Sequence, residues 1–201
     1  TCPMVRRAQM AAQELSAAGF KVIIFGDAEH PEVRGVLGWA GDGAVATLEV
    51  DSVTFRRWPR KLGFLSQTTQ NAESFALFIS SFLPQALDTA TEVRVVNTIC
   101  HATRERQQAA IKLARRSDLM LVVGSFASAN TRQLARLCSL VTETHQVEGP
   151  QDIDPEWLEG KTSTGVTAGA STPDDAVAEV IERLEHLCQA AGPQTGSQDP
   201  Q

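Results

Sequence analysis

No run of lysine or arginine in this 201-residue chain exceeds two, as at Arg56-Arg57 and Arg115-Arg116, and the formal charge is −6. The electrostatic footprint of a nucleic-acid binder is therefore missing. No apolar stretch approaches the roughly 20 residues that span a bilayer, so no membrane association is expected. The cysteines number four and form no C-x-x-C pair, which gives no support to a disulfide framework, a zinc ribbon or a thioredoxin-type site. A reducing, cytoplasmic setting is the expectation. No signal or transit peptide precedes Thr1, but Cys2 stands directly before a helical pattern with no strand ahead of it. That start reads as a cut inside a longer protein, which leaves targeting open.

What is present is a globular composition, 42% hydrophobic and 21% charged, arranged as two copies of one pattern. From Cys2 to Gly26, which ends the apolar run Lys21–Phe25, is 24 residues, and from Cys100 to Gly124, which ends Leu119–Val123, is 24 residues. Each copy continues through a polar loop to a glycine-led segment, Gly63–Thr69 or Gly165–Ser171, and closes on an amphipathic helix predicted over 71–83 or 173–189. Pro3 opens a first helix that Gly19 stops. A strand predicted from Val93 to Cys100 delivers the second cysteine, and helices follow over 103–116 and 130–140. Short apolar strands alternating with helices predict an α/β fold of two pseudo-repeated parallel-sheet units, bounded at 1–91 and 92–189, with a flexible tail over 190–201.

In such folds ligands bind beyond the carboxyl ends of the strands, where helices begin. Cys2, His30, Glu32, Thr68, Cys100, Ser128, Asn130 and Ser171 all fall there. Cys2 and Cys100 stand at helix N-termini, where backbone N–H groups and the dipole favour a thiolate, so metal or redox chemistry is favoured over packing. Cys138 and Cys188 sit among apolar helix positions and read as core. His30-Pro31-Glu32 sets an imidazole and a carboxylate at one strand end. The pair suits anion binding and proton delivery, or simply a proline-initiated helix with an acid in its first turn. Ser128 reads as an N-cap whose hydroxyl, with the Asn130 amide, could also hold phosphate, and Ser171 offers the same in the second unit.

An ordered set of motifs carries a resemblance: Thr1-Cys-Pro3, His30-Pro-Glu-Val33 with Gly35 and Gly38, Ser66-Gln-Thr-Thr69, Thr98-Ile-Cys-His-Ala-Thr103 with Arg106-Gln107, Gly124-Ser125 with Ser128 and Asn130, and Gly165-Val-Thr-Ala-Gly-Ala-Ser171 with Pro173-Asp174. From Cys2 to about Leu187 the chain resembles the 4-hydroxy-3-methylbut-2-enyl diphosphate reductase family, the iron–sulfur enzymes that end the non-mevalonate isoprenoid pathway. The resemblance implies two of three α/β units around a [4Fe-4S] cluster, with Cys2 and Cys100 as ligands and the third cysteine in a unit upstream of Thr1. It also implies reductive dehydroxylation of the diphosphate to isopentenyl and dimethylallyl diphosphates, with electrons from ferredoxin or flavodoxin. His30, Ser128, Asn130 and Ser171 match diphosphate-binding positions, Glu32 the proton-delivering carboxylate, and Thr68 a residue near the substrate hydroxyl. Ala129 and Trp39 depart from the family pattern, where a hydroxyl-bearing residue and a glutamine are common. The 201 residues alone are expected to be inactive. Two alternatives stand beside this reading: a two-unit diphosphate-binding or partner module without a cluster, and iron-free thiol redox chemistry.

Overall fold

The computed structural model describes residues 2–190, so the tail expected over 190–201 lies, beyond Ala190, outside the described residues. In chain order the elements are α1 (Pro3–Ala17), β1 (Lys21–Phe25), α2 (Pro31–Ala40), β2 (Val45–Thr47), β3 (Lys61–Ser66), α3 (Ala72–Thr89), β4 (Glu92–Val96), α4 (His101–Ala114), β5 (Leu119–Val123), α5 (Ala129–Ser139), β6 (Glu143–Val147), β7 (Thr164–Ala168) and α6 (Asp174–Ala190), with short 3-10 turns after β2 and β6. The strands form two parallel sheets, ordered β2-β1-β3-β4 and β6-β5-β7. No described helix is long and apolar enough to cross a membrane.

The first unit, Thr1–Arg106, carries the four-stranded sheet. Side chains alternate across β1 and so fill two cores. Val22 and Ile24 pack with Ala8, Ala12 and Leu15 of α1 and Val33 and Val36 of α2. Ile23 and Phe25 pack with Phe75, Phe78 and Phe82 of α3. In the second unit, Gln107–Gln201, Met120 and Val122 meet α4 and α5, while Leu119, Leu121 and Val123 meet α6. Each unit thus has a parallel sheet sandwiched between a helix pair and a single helix.

The repeat is exact in the hydrogen bonds. Gly26 N–H donates to Thr47 O (3.1 Å) as Gly124 N–H donates to Val147 O (2.8 Å), and Gln67 N–H donates to Phe25 O as Gly169 N–H donates to Val123 O, both at 2.9 Å. The leading glycines have a packing cause. A Cβ on Gly63 would meet Leu15 of α1 at 3.0 Å, and one on Gly165 would meet Met120 Sδ at 2.5 Å and Leu113 of α4 at 2.9 Å. Each glycine lets the preceding helix lie close on its sheet.

Four expectations are corrected. β4 ends at Val96 rather than running to Cys100, and it pairs with β3, Leu62 opposite Val93 and Phe64 opposite Val95. The second boundary therefore moves from 91/92 to Arg106/Gln107, and α4 carries the chain from one unit into the next. The helix expected to stop at Leu83 continues to Thr89, because Pro84 faces solvent while the apolar stripe runs on through Phe82 to Ala86. Cys188 is exposed rather than core. The buried stripe of α6 is Val177, Val180, Leu184 and Leu187, and Cys188 lies with Ile181 along one edge of that stripe, where both are exposed. Cys138 is buried as expected, and desolvation pushes its thiol up to about 11.

Candidate functional site

In the first unit the chemistry gathers at the carboxyl end of the sheet. β1 stops at Phe25, and the loop that follows turns at Asp27, whose carbonyl accepts from His30 N–H (3.0 Å). His30 is the N-cap of α2 and Pro31 its first residue. His30 Nδ1 accepts from Glu32 N–H at 3.2 Å, which puts the ring proton on Nε2 and leaves that nitrogen to donate elsewhere.

Glu32 turns back over the sheet to Thr68, just beyond β3. One carboxylate oxygen accepts from Thr68 N–H (2.7 Å) and the other from the Thr68 hydroxyl (2.8 Å). Thr68 O in turn accepts from Cys100 N–H at 2.9 Å. Glu32 is thus linked to Cys100 through Thr68, whose N–H and hydroxyl bond the carboxylate while its carbonyl bonds the Cys100 backbone, although the three residues come from separate segments. Thr98 fixes the last of these segments: its hydroxyl accepts from Ser66 N–H (2.9 Å) and donates to Ser66 O.

Cys2 joins the same end by topology. It is the N-cap of α1, which packs against the sheet and turns at Gly19 straight into β1, so helix and strand run antiparallel. Fifteen helical residues rise about 22 Å, enough to return Cys2 past the carboxyl end of a five-residue strand. Cys2 is exposed and Cys100 half-buried, and neither is in a disulfide. Their carbonyls accept the first helical bonds of α1 and α4, from Arg6 N–H (3.1 Å) and Arg104 N–H (3.0 Å).

The second unit brings Ser128, Asn130 and Ser171 to the equivalent edge. Ser128 caps α5, its Oγ accepting from Thr131 N–H at 3.3 Å, and its own proton stays available. Asn130 is 8% exposed, yet neither its amide nitrogen nor its oxygen has a protein partner, and the Thr131 hydroxyl beside it is also buried without one. Burying three such atoms unpaired is costly, which is the signature of a site shaped for a polar ligand. Ser171 is exposed in the turn before α6, beside a cleft of about 260 Å³ that Gly124, Ser125 and Glu148 also line.

Two residues escaped the sequence reading. Gln67 is 1% exposed; its Oε1 accepts from Asp27 N–H (3.2 Å) while Nε2 is buried without a partner. It lies inside Ser66–Thr69, where a glutamine carries no signal of its own. Thr131 follows Asn130 directly, but a threonine in a first helical turn carries no distinguishing signal.

The sequence profile of the LytB protein family matches residues 1–185. This chain belongs to that family. Among curated relatives, 4-hydroxy-3-methylbut-2-enyl diphosphate reductase of Dehalococcoides mccartyi is 45% identical over 192 residues, covering 95% of this chain and 68% of the relative. The enzyme of the same name from Geobacter metallireducens is 43% identical, covering 94% and 66%. The chain spans about two thirds of the length of these LytB relatives. A solved (E)-4-hydroxy-3-methyl-but-2-enyl diphosphate reductase, described as the terminal enzyme of the non-mevalonate pathway, superimposes with a TM-score of 0.53 at 33% identity, covering 92% of this chain and 66% of that one. The Plasmodium falciparum E-1-hydroxy-2-methyl-but-2-enyl-4-diphosphate reductase shares the fold, with a TM-score of 0.78 at 23% identity, covering 100% and 64%. LytB membership places the chain among the oxidoreductases of isoprenoid biosynthesis, and its two parallel-sheet units correspond to about two thirds of the solved folds.

Proposed function

We propose that the complete protein reductively dehydroxylates 4-hydroxy-3-methylbut-2-enyl diphosphate. Two electrons and two protons enter, the C–O bond of the terminal alcohol breaks, and water leaves with isopentenyl or dimethylallyl diphosphate as the organic product. The observation that carries this reading is the clasp of Thr68 by Glu32 with Cys100 bonded to the same threonine.

The donor set suits an iron–sulfur cluster in part. Cys2 and Cys100 are free thiols at helix N-termini, and cysteine is the residue that ligates iron–sulfur clusters. No group of three metal-binding side chains occurs among the described residues, so a third thiolate would come from outside them. When bound, a [4Fe-4S] cluster supplies the electrons and a Lewis-acidic iron for the substrate hydroxyl. Everything else falls to this chain's own groups. The Thr68 hydroxyl donates to Glu32, so delivery runs with that polarity reversed: Glu32, once protonated, gives its proton to Thr68 Oγ as the Thr68 hydroxyl gives its own to the departing oxygen. His30 Nε2–H, the Ser128 hydroxyl and the buried Asn130 amide bind the diphosphate as neutral donors, and Ser171 adds a further hydroxyl. The reading includes a cytoplasmic location and a ferredoxin or flavodoxin as electron donor.

Anaerobic reconstitution of the complete protein with iron and sulfide tests it. A broad absorbance around 400 nm should develop, and Cys2→Ser and Cys100→Ser should each abolish both it and turnover. Full cluster content in both variants would overturn the ligand assignment. Diphosphate binding without turnover or cluster would favour the module reading.

A further inference from the structure

At the amino end of the first sheet, away from Cys2, Glu32 and Thr68, a cleft of about 960 Å³ opens where β1, β3 and β4 begin. Lys21, Arg57, Arg60 and Lys61 line it, against one carboxylate, Asp42. In a chain of net charge −6 that concentration of cations is not a compositional accident. Lys61 is tied down, donating to Ala18 O at 3.2 Å and lying 4.0 Å from Glu92. Glu92 is engaged more closely by Arg94, at 2.7 Å. Lys21, Arg57 and Arg60 form no ion pair among the described residues.

The floor between these cations is apolar. Phe55 and Trp58 meet edge to face at 5.2 Å, and Trp58 meets buried Phe82 of α3 at 6.4 Å. These rings hold the irregular segment from Val53 to Arg60 against the core, so Arg57 and Arg60 project from an anchored loop. Exposed guanidiniums around a half-buried Trp–Pro–Phe surface match the composition of protein interfaces, in which tryptophan and arginine dominate the binding energy. A free phosphate compound would be better served by donors converging on the floor, where this cleft offers rings and Pro59.

We propose that this cleft is a docking surface for an acidic segment of a protein partner, with an apolar side chain seated on Trp58 and carboxylates paired to Lys21, Arg57 and Arg60. The charge is complementary and the surface preformed, so association is fast and falls with salt. The proposal is independent of the reaction assigned to the opposite end of the sheet.

The test uses the complete protein and a fluorescein-labelled peptide of about 12 residues, Asp and Glu with one central Phe, followed by anisotropy at about 50 and about 300 mM salt. Binding should be saturable and weaken at the higher salt. The double variant R57E/R60E should weaken it by about tenfold or more, and Lys21→Glu, on a different element, should weaken it in the same direction. The charge-matched control R115E/R116E should leave it unchanged. Thermal midpoint and reductase turnover of R57E/R60E should match the parent protein. No saturable binding, or equal loss in R57E/R60E and R115E/R116E, would overturn the proposal. Displacement of the peptide by inorganic tripolyphosphate at lower concentrations than the peptide itself requires would also overturn it, in favour of a small-polyanion site.

Discussion

Twenty-eight positions separate Cys2 from His30, and the same number separates Cys100 from Ser128, so the N-caps of α2 and α5 are the same place in two copies of one fold. Both cap residues accept the same backbone bond, from Arg34 N–H and from Arg132 N–H, each at 3.0 Å. Two residues further on stand Glu32 and Asn130. One copy therefore presents an imidazole and a carboxylate, the other a hydroxyl and an amide. Glu32 is fully engaged by Thr68, whereas Asn130 is buried with nothing to bond. At these two helix starts a duplicated frame has kept its backbone and divided its chemistry, with the titratable pair in the first unit and the neutral pair in the second. A carboxylate can exchange protons but repels a diphosphate; an amide does the reverse.

Substitutions that erase this division test it. Glu32→Gln gives the first unit the amide of the second while keeping the size and the bond to Thr68 N–H. In the complete protein, kcat should fall by about two orders of magnitude or more, with cluster absorbance retained, because the exchangeable proton is gone. Near-normal turnover with only a lower thermal midpoint would reduce Glu32 to a helix-terminal residue. Asn130→Asp makes the reverse change. If Asn130 holds the diphosphate as proposed, a carboxylate there should raise KM by roughly ten- to a hundredfold with a smaller effect on kcat, measured by steady-state kinetics. Unchanged KM would remove Asn130 from the site.

The comparison extends to packing. Gly165→Ala places a methyl group against Met120 Sδ, Ser117 Oγ and Leu113, all under 3.0 Å, and should destabilise by about 1–3 kcal/mol in urea unfolding. Gly63→Ala meets only the Leu15 side chain, at 3.0 Å and beyond, and should cost less. Equal effects would mean that the two helices approach their sheets equally closely, against the tighter contacts at Gly165.

The smallest effect concerns Asp118, at the amino end of β5, which has no counterpart in the first unit. The Thr162 hydroxyl foremost, then Thr162 N–H and the Ser163 groups, hold its carboxyl down to about 2 from 3.8. A lowered value means stability that is complete above pH 3.8 and is lost as pH falls towards 2. Asp118→Asn should therefore lower the thermal midpoint slightly at neutral pH and flatten its decline across that acid window. An unchanged acid profile would show that the bonds to Thr162 and Ser163 do not persist in solution.

The repeat was legible because it rests on local signals: a cysteine before a helix, an apolar run, a glycine, a polar loop. The candidate residues were legible for the same reason, since strand ends and helix starts are marked by His-Pro-Glu or Ser-x-Asn. The unit boundary was not. β4 follows α3 in sequence, and only its pairing with β3 assigns it to the first sheet. Nor does periodicity separate the buried stripe of α6 from its exposed edge, which is why Cys188 reads as core in the sequence.

Sequence alone determined the parallel α/β character, the duplication and the end of each sheet at which chemistry collects, because short-range pattern dictates strand, turn and helix start. Tertiary structure decided which groups work together. Glu32 reaches Thr68 across 36 residues, and Cys100 returns to Thr68 across 32, through hydrogen bonds that form only when β1, β3 and β4 lie side by side. Partner choice of this kind depends on register between distant strands, and a one-dimensional pattern does not encode it.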